Sequence, residues 1–248
     1  MAARESPTPT RTAATLQAAA DLLSREGAAV LERASLSALA PGRAWSELAE
    51  AWEGLPLDEH LPRGAAFRFR RFGRLAARPM DDGYRLQPLP SAPFQQSAEL
   101  IPLYRGKARD FAPIHARTLS APALRALVGY DLELVTMAEG RRPPCQVGLH
   151  MVRVIAASDE QVAPAPEGRH RDGHSYIAMH LIGRRNCTGG ISRVYQGRAP
   201  QPCLVTTMRE PLDTVVIDDC RVEHEVSPIQ STLGRGERDI LLVDIDLE

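Results

Sequence analysis

What the chain has little of already limits what it can be. Lysine is almost missing: of 30 basic residues, only Lys107 is not arginine. Acidic residues number 31, so the formal net charge is −1 and no overall field favours nucleic acid or an anionic membrane surface. Cys145, Cys187, Cys203 and Cys220 are the only cysteines and form no CxxC pair, which argues against a zinc knuckle or a disulfide framework and for a reducing compartment. No apolar run approaches the length that spans a bilayer. The opening "MAARESPTPTRTAATLQ" lacks the apolar core of a signal peptide and reads as a disordered arm over residues 1–14. The expectation is a cytoplasmic protein with neither nucleic acid nor membrane as partner. Aromatic residues make up only 5%, and their one basic cluster, "FRFRRF" at Phe67 to Phe72, reads as an edge strand with a solvated face rather than a nucleic-acid platform.

What is present is the composition of an ordinary globular protein, 44% hydrophobic and 25% charged over 248 residues. One domain is expected over residues 15–248. Its first part, 15–145, is mainly helical: Leu16, Ala19, Ala20 and Leu23 form one stripe that Gly27 stops. "SLSALA" and "WSELAEAW" read as short helices, and Ser120 as the N-cap of a longer one through "SAPALRALVGYDLELV". From Gln146 the rhythm changes to short β-rich segments: "VGLHMVRVIAA", "SYIAMHLI", "ISRVYQ", "PCLVTTM", "DTVVIDD" and "DILLVDIDL". Such spacing predicts a sandwich or barrel over 146–248, braced from outside by the helices. The fold class expected is α+β with a mainly β core.

The chemistry concentrates in "PEGRHRDGHSYIAMHLIGRRN", Pro166 to Asn186, with three histidines and an aspartate between His170 and His180. A two-histidine, one-carboxylate facial triad covers one face of iron(II) and leaves the other positions open. On a strand, His170 and Asp172 would point the same way. A third ligand must come from another segment, and His224 is the only histidine downstream of these strands. Arg238 opens the last strand and can pair with the far carboxylate of a dicarboxylic cosubstrate. Arg235 competes for that role but sits in loop-like sequence.

The blocks "PEGRHRDG", "HLIGRRNCTGGISRVYQ", "PLDTVVIDDCRVEHEVSPI" and "GERDILLVDID", in that order, resemble the bacterial 2-oxoglutarate- and iron(II)-dependent dioxygenase family that includes L-isoleucine 4-hydroxylase, with a fainter echo in "PLYRGKARDFAPI". The resemblance runs from about Gln146 to the last residue. It implies a double-stranded β-helix (jelly roll), Fe(II) and 2-oxoglutarate as cofactors, and O2 with a small molecule, a free aliphatic L-amino acid, as substrates. It assigns His170, Asp172 and His224 to the metal and Arg238 to 2-oxoglutarate. Two other readings use the same residues: a cupin-like metal enzyme without 2-oxoglutarate, in which His174 would be a further ligand, and a non-enzymatic sensor on an oxygenase-like shell.

The other polar residues carry less signal. Asn186 and Gly189-Gly190 mark a tight connection, and Asn186 is a candidate to reach the cosubstrate. Asp218 and Asp219 either orient a ligating imidazole or end a strand. His150 and His180 read as satisfied core histidines, His174 as a residue of the pocket rim. Ser192 and Tyr195 are candidates to line the pocket, and Arg153 and Arg193 to grip a substrate carboxylate.

Overall fold

The computed structural model describes residues 12–39, 41–62, 65–158 and 160–248. The arm expected over 1–14 lies outside the described residues up to position 11. Its end needs correction: Thr12–Ala13 is a strand, because the Ala13 side chain is buried against the helices that follow.

The first half contributes β1 (Thr12–Ala13), α1 (Leu16–Glu26), β2 (Ala28–Leu31), α2 (Arg33–Leu36), α3 (Gly42–Ala49), β3 (Arg68–Met80), β4 (Gly83–Pro88), α4 (Ala116–Leu119) and α5 (Pro122–Glu139). The second contributes β5 (Cys145–Ala156), β6 (Gln161–Val162), β7 (Tyr176–Arg185), β8 (Cys187–Gly189), β9 (Ser192–Gln196), β10 (Leu204–Thr206), β11 (Thr214–Asp218), β12 (Val222–Val226), β13 (Ile229–Ser231) and β14 (Gly236–Leu247). None of the described helices is long and apolar enough to cross a membrane.

Helix ends follow local chemistry. Thr15 caps α1 by accepting from the Ala18 N–H, and Gly27 closes it at φ 73°, a left-handed conformation that glycine adopts without strain. The expected cap at Ser120 is displaced. Pro122 takes the first turn of α5, where its missing N–H costs nothing, so the helix starts from Ala121 while Ser120 ends α4.

Eight strands form one sheet in the order β1-β2-β11-β7-β14-β5-β3-β4. Four of these precede residue 146, so the first half supplies more of the sheet than its helical composition suggests. The solvated face expected for Phe67 to Phe72 is corrected: Arg68 and Arg70 are buried, while the side away from β5 carries only isolated bridges to Leu57 and Pro113 among the described residues, since β4 pairs from Leu75 onward. Strand alternation gives the sheet two faces. On one, Leu75, Val147, Leu149, Ala178, Leu241 and Val243 pack on α1 and α5 through Leu23, Leu127 and Leu132. On the other, Ile177, Leu181, Val215, Ile217 and Ile240 meet Val194, Leu204 and Val222 of the three-stranded sheet β10-β9-β12. The two facing sheets form the jelly roll, and the site lies between them.

Candidate active site

His170 does not sit on a regular strand. It makes a single antiparallel bridge with His224 of β12, each backbone N–H donating to the other's carbonyl at 3.0 and 2.9 Å. That bridge brings the two rings together, tilted at 50° with centroids 4.4 Å apart. Asp172 follows in irregular backbone, so strand parity is not what orients it. Asp219 fixes this loop instead, its carboxylate accepting from the backbone N–H groups of Asp172, Gly173 and His174 at 3.1, 2.7 and 3.1 Å.

The outcome is a three-residue cluster. His170 Nε2 lies 3.5 Å from Asp172 Oδ1, and His224 Nε2 lies 3.4 Å from Asp172 Oδ2. One donor atom from each residue falls within 4.8 Å of the others, the only such group of His, Cys, Asp and Glu side chains among the described residues. Donors around one ion at roughly 2.0–2.2 Å stand about 3 Å apart, so little movement is needed to close on a metal. The Nδ1–H of His170 donates to the Gly168 carbonyl at 2.7 Å, which leaves Nε2 as the lone-pair atom of the neutral ring. His224 Nδ1 is 3.7 Å from Asp219 Oδ1, too long for a hydrogen bond. Burial opposes charge on His170, but the Asp172 carboxylate beside it prevails and lifts the imidazole to about 9. Burial also opposes charge on Asp172, and the two imidazoles hold its carboxyl well below the usual carboxylate range.

The site is held from the first half as well. Gln96 Nε2 donates to Asp172 Oδ1 at 2.6 Å, and Arg109 donates to Gln96 Oε1. Arg109 lies over the Tyr104 ring, 3.7 Å from its centroid. The sequence reading missed Gln96 and Arg109. The only hint was the faint "PLYRGKARDFAPI" echo, which contains Tyr104 and Arg109.

A cleft with a cavity volume of about 120 Å³, partly open to solvent, extends from this cluster between the two sheets. Its floor is apolar, with Val152, Val154, Met179, Ile240 and Leu242. Arg238 lines it, buried, and its guanidinium makes no hydrogen bond or ion pair with any described residue; burial, then the nearby Arg184, lowers it to about 10. Gly190, at φ 66°, permits the approach, since a Cβ there would stand 3.1 Å from Arg238 Nε. Arg235 points away and pairs with Glu237. Ser192 and Arg193 line the cleft, whereas Tyr195 does not and donates to Glu225, a residue of the lining. Two expectations fail. Asn186 occupies an exposed turn at φ 49° and does not line the cleft, and Arg153 is spent on Asp239 and Glu53.

The remaining histidines separate by environment. His180 is fully buried between Thr214 and Asp131, as expected of a core histidine. His174 pairs with Asp246 and Asp244 and is not a member of the metal-ligating cluster. His150 does reach the cleft: its Nε2–H donates to Asp244 at 2.7 Å, while Nδ1 accepts from Arg70 at 2.6 Å. Burial, then the Arg70 charge, lowers it to about 4, so the ring is neutral.

Known proteins fit this picture. L-isoleucine-4-hydroxylase of Bacillus thuringiensis is 28% identical over 141 residues, which cover 56% of this chain and 58% of that one. 3(1)-Hydroxy-L-isoleucine 4-dioxygenase of Pantoea ananatis is 25% identical over 159 residues, 61% of this chain and 62% of that one. The matched segments thus span under two thirds of either relative. Among solved structures, a bsmA homolog from Methylobium petroleophilum superposes with a TM-score of 0.85 at 27% identity, covering 96% of this chain and 95% of that one. IDO from Bacillus thuringiensis shares the fold at a TM-score of 0.76 and 21% identity, over 94% and 99% of the two chains. The family model for 2OG-Fe dioxygenases, enzymes that use Fe(II) and 2-oxoglutarate, matches residues 49–244, and the chain belongs to that family.

Proposed function

We propose that the protein hydroxylates a free aliphatic L-amino acid, with His170, Asp172 and His224 holding iron(II) and Arg238 holding 2-oxoglutarate. One observation carries the reading: three ligand-type side chains from two separate segments converge in a cleft that also contains a buried, unpaired guanidinium. The donor set of two imidazoles and one carboxylate suits a non-haem iron(II) centre. The names of the relatives from Bacillus thuringiensis and Pantoea ananatis support an amino-acid substrate.

Each residue has a definite task. Gly168 fixes the tautomer of His170 so that Nε2 faces the metal position. Gln96 takes one oxygen of Asp172 and sets the rotation of its carboxylate. Asp219 restrains the backbone between them. Arg238 offers charge-assisted hydrogen bonds to a carboxylate from a cleft with little water to compete. Met179, Val194, Ile240 and Leu242 line the space between and keep it dry. Bound iron(II) and 2-oxoglutarate supply the oxidation: one atom of O2 ends in succinate, with loss of carbon dioxide, and the other enters a substrate C–H bond.

The test is succinate release from purified protein given iron(II), 2-oxoglutarate and a panel of aliphatic L-amino acids. Release above the uncoupled background with one or more of them, and a hydroxylated product, is expected. A flat panel would overturn the amino-acid reading, and failure to bind 2-oxoglutarate would leave a metal protein of another kind.

A further inference from the structure

Five arginines are buried among the described residues: Arg68, Arg70, Arg109, Arg153 and Arg238. Two are neutralised within the chain, Arg68 by Asp58 at 2.8 Å and Arg153 by Asp239 at 2.8 Å. The other three make no ion pair with a described carboxylate, and all three line the cleft. A buried charge without a counter-charge is costly, and a guanidinium does not escape the cost by losing its proton. Arg238 is accounted for by the cosubstrate. Arg70 and Arg109 are not.

Their placement indicates what they would bind. Arg68, Val154 and Arg238 stand in one row across β3, β5 and β14, and Arg70 lies two residues further along in the row of Val152 and Ile240. Strands about 4.8 Å apart put Arg70 and Arg238 on opposite sides of the apolar floor, about 10 Å or more apart at the backbone. Arg70 is held rigidly. His150 accepts from both its Nη2 and its Nε, and the Phe111 ring lies 4.4 Å away. Beside it, Arg109 has one hydrogen-bond partner, Gln96, and a buried Nε with none. The complementary charge is also at hand: Glu167 lines the same cleft with Oε2 buried and lacking any hydrogen-bond partner.

We infer that Arg70, flanked by Arg109, anchors the substrate's α-carboxylate while Glu167 receives its α-ammonium. This rests on the proposed amino-acid hydroxylation and goes beyond it by assigning the selecting residues. Neither Arg70 nor Glu167 touches the proposed iron ligands, so both can be changed without removing a ligand.

The test compares three analogues at saturating iron(II) and 2-oxoglutarate: L-leucine, L-isoleucine and L-valine, their primary amides, and the matching acids without the amino group. Succinate release is measured for wild type, Arg70→Met, Arg70→Lys and Glu167→Gln, with thermal melts to confirm folding. Wild type is expected to prefer acid over amide in kcat/KM by about a hundredfold or more, since a site built for a charged partner rejects its neutral analogue. Arg70→Met should reduce that preference to below about tenfold and Arg70→Lys should restore part of it, with the KM for 2-oxoglutarate unchanged. Glu167→Gln should erase the preference for the amino acid over the acid without the amino group.

Equal use of acid and amide by wild type, equal loss for both in Arg70→Met, or a rise in the KM for 2-oxoglutarate would overturn the carboxylate anchor and leave the amino-acid reading standing. An unchanged amino-group preference in Glu167→Gln would overturn its half of the cradle. If only acids without the amino group support turnover, and depend on Arg70, the amino-acid reading and Glu167's part fall while the anchor holds. If none of the compounds supports turnover, both fall.

Discussion

The two faces of the large sheet bury similar polar residues, and the cleft side leaves several of its arginines without a counter-charge. On the helix face His180 is enclosed by Asp131 and Thr214, and nearby Arg153 is closed by Asp239 and Glu53. On the cleft face His170, Asp172 and His224 crowd together, and Arg70, Arg109 and Arg238 are buried without a carboxylate. Charged groups that serve the fold find an oppositely charged or hydrogen-bonding partner inside the chain. Those that serve a ligand retain spare capacity, and the fold tolerates the cost locally. The contrast separates site from scaffold where residue type alone does not, since histidines and arginines occur on both faces.

The comparison can be broken by exchanging the faces' behaviour under mutation. The largest effect is expected for Asp172→Ala, which should abolish iron(II) binding in an equilibrium titration and turnover in a succinate assay. Iron(II) binding at wild-type affinity would contradict this. Next comes His180→Leu, which strands the buried Asp131 carboxylate. Urea unfolding should show a loss of about 3–5 kcal/mol, while iron affinity of the folded fraction is maintained.

His150 gives a pH-dependent effect of intermediate size. Its folded value of about 4 lies below the unfolded value of about 6.5. The unfolded chain therefore takes up a proton first as pH falls, so this contribution is full above about 6.5, declines through the window down to about 4 and is flat below it. The wild-type stability advantage over His150→Gln should shrink by roughly 3 kcal/mol between pH 7 and pH 4. A difference independent of pH would show that the ring is not held neutral. The smallest effect is expected for Gln96→Leu, which removes the brace on Asp172 and should weaken iron(II) about 10–100-fold in an equilibrium metal titration. Unaltered affinity would reduce Gln96 to a packing residue.

Much of this was legible before any coordinates. The order of short apolar runs from Gln146 predicted a sandwich or barrel, because strand alternation and turn residues are local signals, and the family resemblance narrowed this to the jelly roll. His170, Asp172, His224 and Arg238 could be singled out since metal and carboxylate chemistry restrict residue type. The backbone that orients them was not legible: Asp172 sits in irregular chain pinned by Asp219, a contact between residues 47 apart. Gln96, Arg70 and Arg109 were missed for a similar reason. In the sequence they are unremarkable polar residues in a Pro-rich connection or an arginine-rich strand. Only the pairing of β3 with β5 turns Arg70 inward. Asn186 failed the other way: a turn residue at positive φ has its conformation explained by the turn alone.

The central claim is that one cleft couples an iron centre at His170, Asp172 and His224 to a cosubstrate anchor at Arg238. Anaerobic titration of the iron(II)-loaded protein with 2-oxoglutarate, followed by its visible charge-transfer absorption, tests this directly. The account predicts a saturable band in wild type, no band in Asp172→Ala, and a half-saturation point raised at least about tenfold in Arg238→Met. A band of equal strength and affinity in wild type and Arg238→Met, or its persistence without Asp172, would contradict it.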